Sequence, residues 1–233
     1  METLAPEQGG AVHIWLEWID TAQEPEGLPI LDADELARAG RLRFERDRRR
    51  FVARRALLRR ILGEQLGVEP ASIRYRRTAN GKPALVDADG PAFSTSHADG
   101  LAMVALAPQG DVGVDVERLR PMPDALDIAR RFFAVRELEH LGAQPASVRS
   151  EAFLRLWTAK EACVKVLGRG LSMPLDGFVV SGHADGERIQ LGGENEAVSA
   201  CLWSLDAPDG YVATVAATHA ASVAAPLPLA IAS

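Results

Sequence analysis

Apolar positions along the chain follow two periods, one of a strand and one of a helix. Val12-His13-Ile14-Trp15-Leu16 is short, β-branched and aromatic, and Asp20, Pro25 and Gly27 close it, so a strand is predicted there. Residues 31–40 predict a short helix with Asp32 as cap and Gly40 as stop. From 48 to 66, Phe51, Val52, Leu58, Ile61, Leu62 and Leu66 recur at helical spacing, which predicts a longer amphipathic helix whose other faces carry Arg54, Arg55, Arg59 and Arg60. Strands are predicted around 73–76, 92–95, 101–107 and 112–116, with a turn at Gly81-Lys82-Pro83 and a break at Pro108-Gln109-Gly110. Helical patterns follow at 124–141 and 150–167, the second stopped by Gly168 and Gly170, and then strands at 177–181, 200–203 and 211–217. The Ala- and Pro-rich tail after His219 reads as a loose end. Each side of Gln109 mixes strands with one long helix, which gives an α+β or mixed α/β class, and no residue-level repeat relates the two sides.

Composition narrows the function. With 47% hydrophobic and 25% charged residues, the 233-residue chain can bury one sizeable core or two small ones. No apolar run reaches the roughly 18 to 20 residues of a membrane span, and residues 1–10 lack a basic-then-apolar export signal, so a cytoplasmic protein is expected. Cys163 and Cys201 belong to no Cys-x-x-Cys pair, so buried free thiols are expected rather than a disulfide or zinc site. The net charge is −6, yet ten arginines between Arg41 and Arg60 stand against only Glu45 and Asp47. That asymmetry suits a local anionic ligand better than a surface that coats nucleic acid or membrane; a solvated arginine-rich helix face is the plain alternative.

Three stretches carry chemistry. In Gly113-Val114-Asp115-Val116-Glu117, strand alternation sends Asp115 and Glu117 to one face and Val114 and Val116 to the core. Two carboxylates so placed repel, and a divalent cation such as Mg²⁺ is the usual compensation for paired hard oxygens. On a helix, Trp157, Glu161 and Lys165 stand at i, i+4 and i+8 and form one stripe, which makes Glu161 a candidate third oxygen ligand or proton acceptor and Lys165 a candidate point charge for phosphate; an ordinary i,i+4 Glu-Lys pair on a solvated helix is the plain alternative. Phe93-Ser94-Thr95-Ser96-His97, preceded by Asn80-Gly81-Lys82-Pro83, collects hydroxyls, an imidazole and a lysine that can donate to phosphate oxygens. Of the five histidines only His97 has such a polar context; His13, His140, His183 and His219 do not. The chain has no phosphate loop, dinucleotide fingerprint, H-E-x-x-H or G-x-S-x-G, so the nucleophile is expected to arrive on a partner.

G-V-D-V-E, followed about forty residues later by W-T-A-K-E-A-C-V-K and then G-R-G-L, resembles the signature of the Sfp-type phosphopantetheinyl transferases, and the resemblance runs over roughly residues 12–217. It takes in Phe51 to Leu62 and Arg131-Phe132-Phe133 with Glu137. It implies an α+β pseudo-dimer of two similar halves in one chain, 1–110 and 111–220, with a flexible tail at 221–233 and coenzyme A between the halves. It further implies Mg²⁺ on Asp115, Glu117 and Glu161, phosphate contact by Lys165, and coenzyme A binding by Gly81, Lys82, Ser96 and His97 with Arg38, Arg59 and Arg77 nearby. Glu161 is the expected base and Glu137 a weaker one. The implied reaction transfers 4′-phosphopantetheine to a serine of an apo acyl or peptidyl carrier protein, and the resemblance leans toward secondary metabolism. The carrier is expected to dock beside the helix 150–167 and the 168–171 turn with Arg169. A monomer that binds neither nucleic acid nor membrane is expected. The competing readings are another Mg²⁺-dependent phosphotransferase, nucleotidyl transferase or phosphohydrolase, and an arginine-rich nucleic-acid module, which would show steep salt dependence.

Overall fold

A computed structural model describes residues 10–20, 28–78, 81–87, 90–168, 173–181, 185–192, 197–219 and 222–224. In the N-terminal half, β1 (His13–Trp18), β4 (Ala92–Ala98) and β5 (Leu101–Ala107) form an antiparallel sheet in the order β1-β5-β4. Every residue of central β5 is buried because both its faces are covered. Ala102, Val104 and Leu106 pack under Leu57, Leu58, Ile61 and Leu62 of α2 (Glu45–Leu66). Leu101, Met103 and Ala105 face the other half.

That half holds a second antiparallel sheet, ordered β6-β9-β8-β7, from β6 (Val112–Arg118), β7 (Asp185–Leu191), β8 (Val198–Leu205) and β9 (Tyr211–Ala217). Val112, Val114 and Val116 of β6, with Ala213 and Val215 of β9, bury themselves against Ile14, Leu101, Met103 and Ala105. The opposite face carries α5 (Ala146–Leu167), which packs on Leu202, Val212 and Ala216. A short helix precedes each long one, α1 (Ala33–Gly40) in the first half and α3 (Ala125–Phe132) with α4 (Val135–Ala143) in the second. β2 (Tyr75–Arg77) and β3 (Pro83–Leu85) make a hairpin closed by Gly81 at φ 82°, with Tyr75 and Leu85 packed into the first half's core. No helix among the described residues is long and apolar enough to cross a membrane.

The halves share an internal device. Each long helix spans 22 residues, ends on a left-handed glycine (Gly67 at φ 65°, Gly168 at φ 63°), and carries one fully buried cation at the same distance from its start. Arg59 in α2 donates to Glu35, to Asp32, and to the carbonyls of Pro70 and Ile73. Lys160 in α5 pairs with Glu137 at 2.8 Å and donates to the carbonyls of Leu175 and Phe178. Glu35 and Glu137 each also accept the backbone N–H three residues before them, closing the first turn of their helices. The carbonyls on both sides come from a 3₁₀ turn and the residue just after it, Pro70–Ser72 with Ile73 and Leu175–Gly177 with Phe178. The cation therefore ties the preceding helix to the following turn in both halves, a correspondence that side-chain identity hides.

Several expectations are corrected. The helix expected at 124–141 is two, because Phe133 turns extended and buries its ring against Phe153 and Trp157. The strand expected at 177–181 is instead a 3₁₀ turn and an extended segment bound to Lys160. β7 escaped notice because its polar run buries only Ile189 and Leu191 between exposed neighbours. Cys163 is buried, whereas Cys201 is only partly so. The tail is not wholly loose, since Val223 bridges in parallel to Val12, whose N–H donates to Ser222 O at 3.1 Å and whose carbonyl accepts from Ala224 at 2.9 Å. Residues 225–233 lie outside the described set.

Candidate active site

β4 and β6 meet without a shared ladder. Ser94 Oγ accepts from Val114 N at 3.1 Å and Ser96 Oγ from Val116 N at 3.3 Å, so two hydroxyls satisfy edge N–H groups that the sheet leaves open. On its other face β6 lies directly under α5. A Cβ at Gly113 would sit 2.0 Å from the Ala162 carbonyl and 2.6 Å from Val166 N, so only glycine permits this approach. Asp115, next on that face, then meets the helix stripe.

Asp115 is 7% exposed. Its Oδ1 accepts from Ser96 Oγ and from Lys165 Nζ, each at 2.8 Å, while Lys165 also donates to Val114 O at 2.8 Å. Its Oδ2 is buried with no hydrogen-bond partner among the described residues, a costly arrangement for a carboxylate oxygen. Burial holds the Glu161 carboxyl above its ordinary range, the charges of Asp115 and Glu117 push the same way, and Lys165 opposes them. The three acids expected to share an ion are thus electrostatic neighbours. They are not yet gathered: no three Asp, Glu, His or Cys side chains among the described residues converge as a metal site, and Glu117 Oε2 accepts from Arg120 at 2.7 Å. A divalent ion fits this donor set chemically, since it would satisfy the orphan oxygen of Asp115 and relieve the repulsion at Glu161.

Beside Ser96 opens a cavity of about 480 Å³, lined by Arg38, Arg54, Arg55, Arg76, Arg77 and His97. Burial, then repulsion from Arg55, Arg38 and Arg50, pulls the Arg54 guanidinium down to about 10. His97 is pushed down to about 4 by loss of hydration first and by Arg54, Lys165 and Arg50 after it. Burial is the larger cause of both shifts and neighbouring cations the smaller, and the arginines share the cavity wall with Asp32, Asp34 and Glu35.

The structure brings Asp115, Glu161 and Lys165 together, and places Ser96, His97, Arg38 and Arg77 at the cavity. Other expected residues go elsewhere. Arg59 has no exposed surface and its donors are spent on Asp32, Glu35 and two carbonyls, so it does not face the cavity. Glu137 is a buried partner of Lys160 and also accepts from Ala134 N and Val180 N. Lys82 reaches across the seam to Val112 O at 3.0 Å and toward Val166 O at 3.5 Å, and its ammonium is depressed by burial there. Gly81 accepts from Arg77 at 2.9 Å in the hairpin turn and does not line the cavity. Asn80, Arg169 and His183 lie outside the described residues. Missed in the sequence were Arg76 and the inward placement of Arg54 and Arg55; the latter two precede Leu58 by one turn, the only local signal of the side they take.

Residues 111–216 match the family model of the 4′-phosphopantetheinyl transferase superfamily, and residues 17–109 match that of the N-terminal region of 4′-phosphopantetheinyl transferases. The chain belongs to this superfamily, and its co-substrate is coenzyme A. It is 41% identical over 166 residues to the 4′-phosphopantetheinyl transferase HetI of Nostoc sp., covering 69% of this chain and 70% of that one. It is 29% identical to the 4′-phosphopantetheinyl transferase Sfp of Bacillus subtilis over 82% of this chain and 84% of that one. The L-aminoadipate-semialdehyde dehydrogenase-phosphopantetheinyl transferase of Homo sapiens is 30% identical over 62% of this chain and 50% of its own length.

Proposed function

We propose that this phosphopantetheinyl transferase loads carrier proteins of secondary metabolism, as a cytoplasmic monomer, with its active site divided between a coenzyme A-binding half at 1–110 and a transfer half at 111–220. The single observation that carries the site assignment is Asp115: one oxygen held by Lys165 and Ser96, the other buried and unpartnered beside Glu161. Asp115, Glu117 and Glu161 would hold Mg²⁺, which when bound would draw charge from the diphosphate and from the leaving group. Arg38, Arg54, Arg55 and Arg77 bind the adenosine phosphate end by charge, with Ser96 and His97 at the inner wall of the cavity. Lys165 moves from Asp115 to phosphate oxygens, spreading the charge that builds as the bond to the bridging oxygen breaks. The carrier serine attacks the phosphorus that bears pantetheine, Glu161 accepts the hydroxyl proton directly or through water, and adenosine 3′,5′-bisphosphate departs. The carrier docks beside α5 and the residues that follow it in sequence.

Incubation with coenzyme A, Mg²⁺ and an apo carrier protein, read by intact mass, tests the reading. One added phosphopantetheine on the carrier, with a matching release of adenosine bisphosphate, is the expected result. Adenosine bisphosphate released without mass gain would assign hydrolysis instead, and an unchanged carrier in fatty-acid, polyketide and peptide series alike would overturn the proposal.

A further inference from the structure

Glu117 and Arg120 form a closed pair at the rim of the site. Arg120 Nη1 donates to Glu117 Oε2 at 2.7 Å and also to the Arg118 carbonyl at 3.0 Å, so the guanidinium is folded back over the end of β6. The backbone around it is fixed, because Leu119 N donates to Gly210 O at 2.7 Å and Pro121 follows. The side chain is therefore the part free to swing. Arg120 is 47% exposed and Glu117 is 24% exposed, and both line a shallow cavity of about 500 Å³. Lys165 meanwhile rests on Asp115, so each carboxylate of the strand is neutralised by a cation of the chain itself. With Glu117 held on Arg120, three carboxylates do not converge among the described residues.

We propose that Arg120 is a latch on Glu117: it competes with the divalent ion for that carboxylate and swings into the adjacent cavity when the ion takes it. The inference rests on Glu117 being a metal ligand. A half-exposed arginine pair of this type is weak, so breaking it costs the incoming ion only about a two- to fivefold loss of affinity. That suffices to offset the charge of Glu117 in the empty site without blocking it. The opposite arrangement, in which Arg120 stays on Glu117 and orients it toward the bound ion, predicts the opposite sign, because removing an outer partner of a ligand weakens metal binding.

Mn²⁺ alone is the probe, its free-ion signal followed by electron paramagnetic resonance on the full chain without coenzyme A, at about 0.2 M KCl to screen distant charges. Arg120→Gln is expected to tighten Mn²⁺ binding about two- to fivefold in the wild-type background and to leave it within about 1.5-fold in the Glu117→Gln background. The second arm separates a latch from mere loss of positive charge near the ion, which would act equally in both backgrounds. Weaker or unchanged binding by Arg120→Gln, or equal tightening in both backgrounds, would overturn the latch. Wild-type affinity in Glu117→Gln would instead remove Glu117 from the metal site, leaving the transfer reaction itself to the carrier mass test.

Discussion

The two halves use one scaffold for two chemistries. In each, a long helix lies on an antiparallel sheet and a buried cation, Arg59 or Lys160, ties the acid of the preceding helix to carbonyls of the following turn. The residue after that cation marks the divergence. In the first half it is Arg60, exposed; in the second it is Glu161, facing Asp115 and Lys165. The N-terminal half fills its recess with guanidinium groups, and the C-terminal half presents carboxylates and one ammonium. Anchoring is thus shared by the halves as an arrangement, while the neighbouring positions differ, and the proposed division is that one half holds an anion and the other rearranges its bonds.

The sharpest way to break this division is Asp115→Ala, for which turnover is expected to fall on the order of 10² to 10⁴ with the thermal midpoint nearly unchanged. If only the coenzyme A KM moved, transfer would not reside in the second half. Next come the anchors. Lys160→Met leaves buried Glu137 without a counter-charge, and Arg59→Met strips Asp32 and two carbonyls of their donor while Glu35 keeps Arg55; each is expected to lower the unfolding free energy by about 3–5 kcal/mol in urea titrations, while Lys160→Met combined with Glu137→Leu recovers most of its loss. Unequal costs beyond that range would show the two anchors are not equivalent. A smaller effect is expected from Arg54→Ala, about tenfold on the KM for coenzyme A with kcat within about threefold, as the loss of one charge-assisted contact implies.

The smallest effect concerns His97. Its folded value of about 4 lies below the ordinary 6.5, so between those two values the unfolded chain binds more protons. The stabilisation is complete above pH 6.5 and is lost as pH falls toward 4. Denaturation of His97→Gln at pH 7 and pH 5 should show a shallower acid loss than wild type; an identical slope would place the acid sensitivity elsewhere.

Much of this was legible in the sequence because the information was local. The Asp32 cap, β5 and the strand at 211–217 follow from residues in the segment itself. Asp115, Glu117, Glu161 and Lys165 were legible because strand and helix periods fix which side chains share a face. What failed needed distant partners. Whether Arg59 or Arg54 turns inward depends on Asp32 and Glu35, which lie beyond any helical window, and Glu137 is held in the core by Lys160, twenty-three residues on. The break at Phe133 is invisible to periodicity, since the apolar rhythm continues across it while Phe153 and Trp157 draw the ring out of register.

Gly113 sets how closely β6 and α5 approach. Because the strand backbone touches the helix backbone there, a missing methyl lets α5 come close enough for Lys165 to reach Asp115 and the Val114 carbonyl, each at 2.8 Å. A single added carbon would wedge α5 away from β6 and carry the ammonium and one acid away together, so the reacting groups would separate even though each remained in place on its own element.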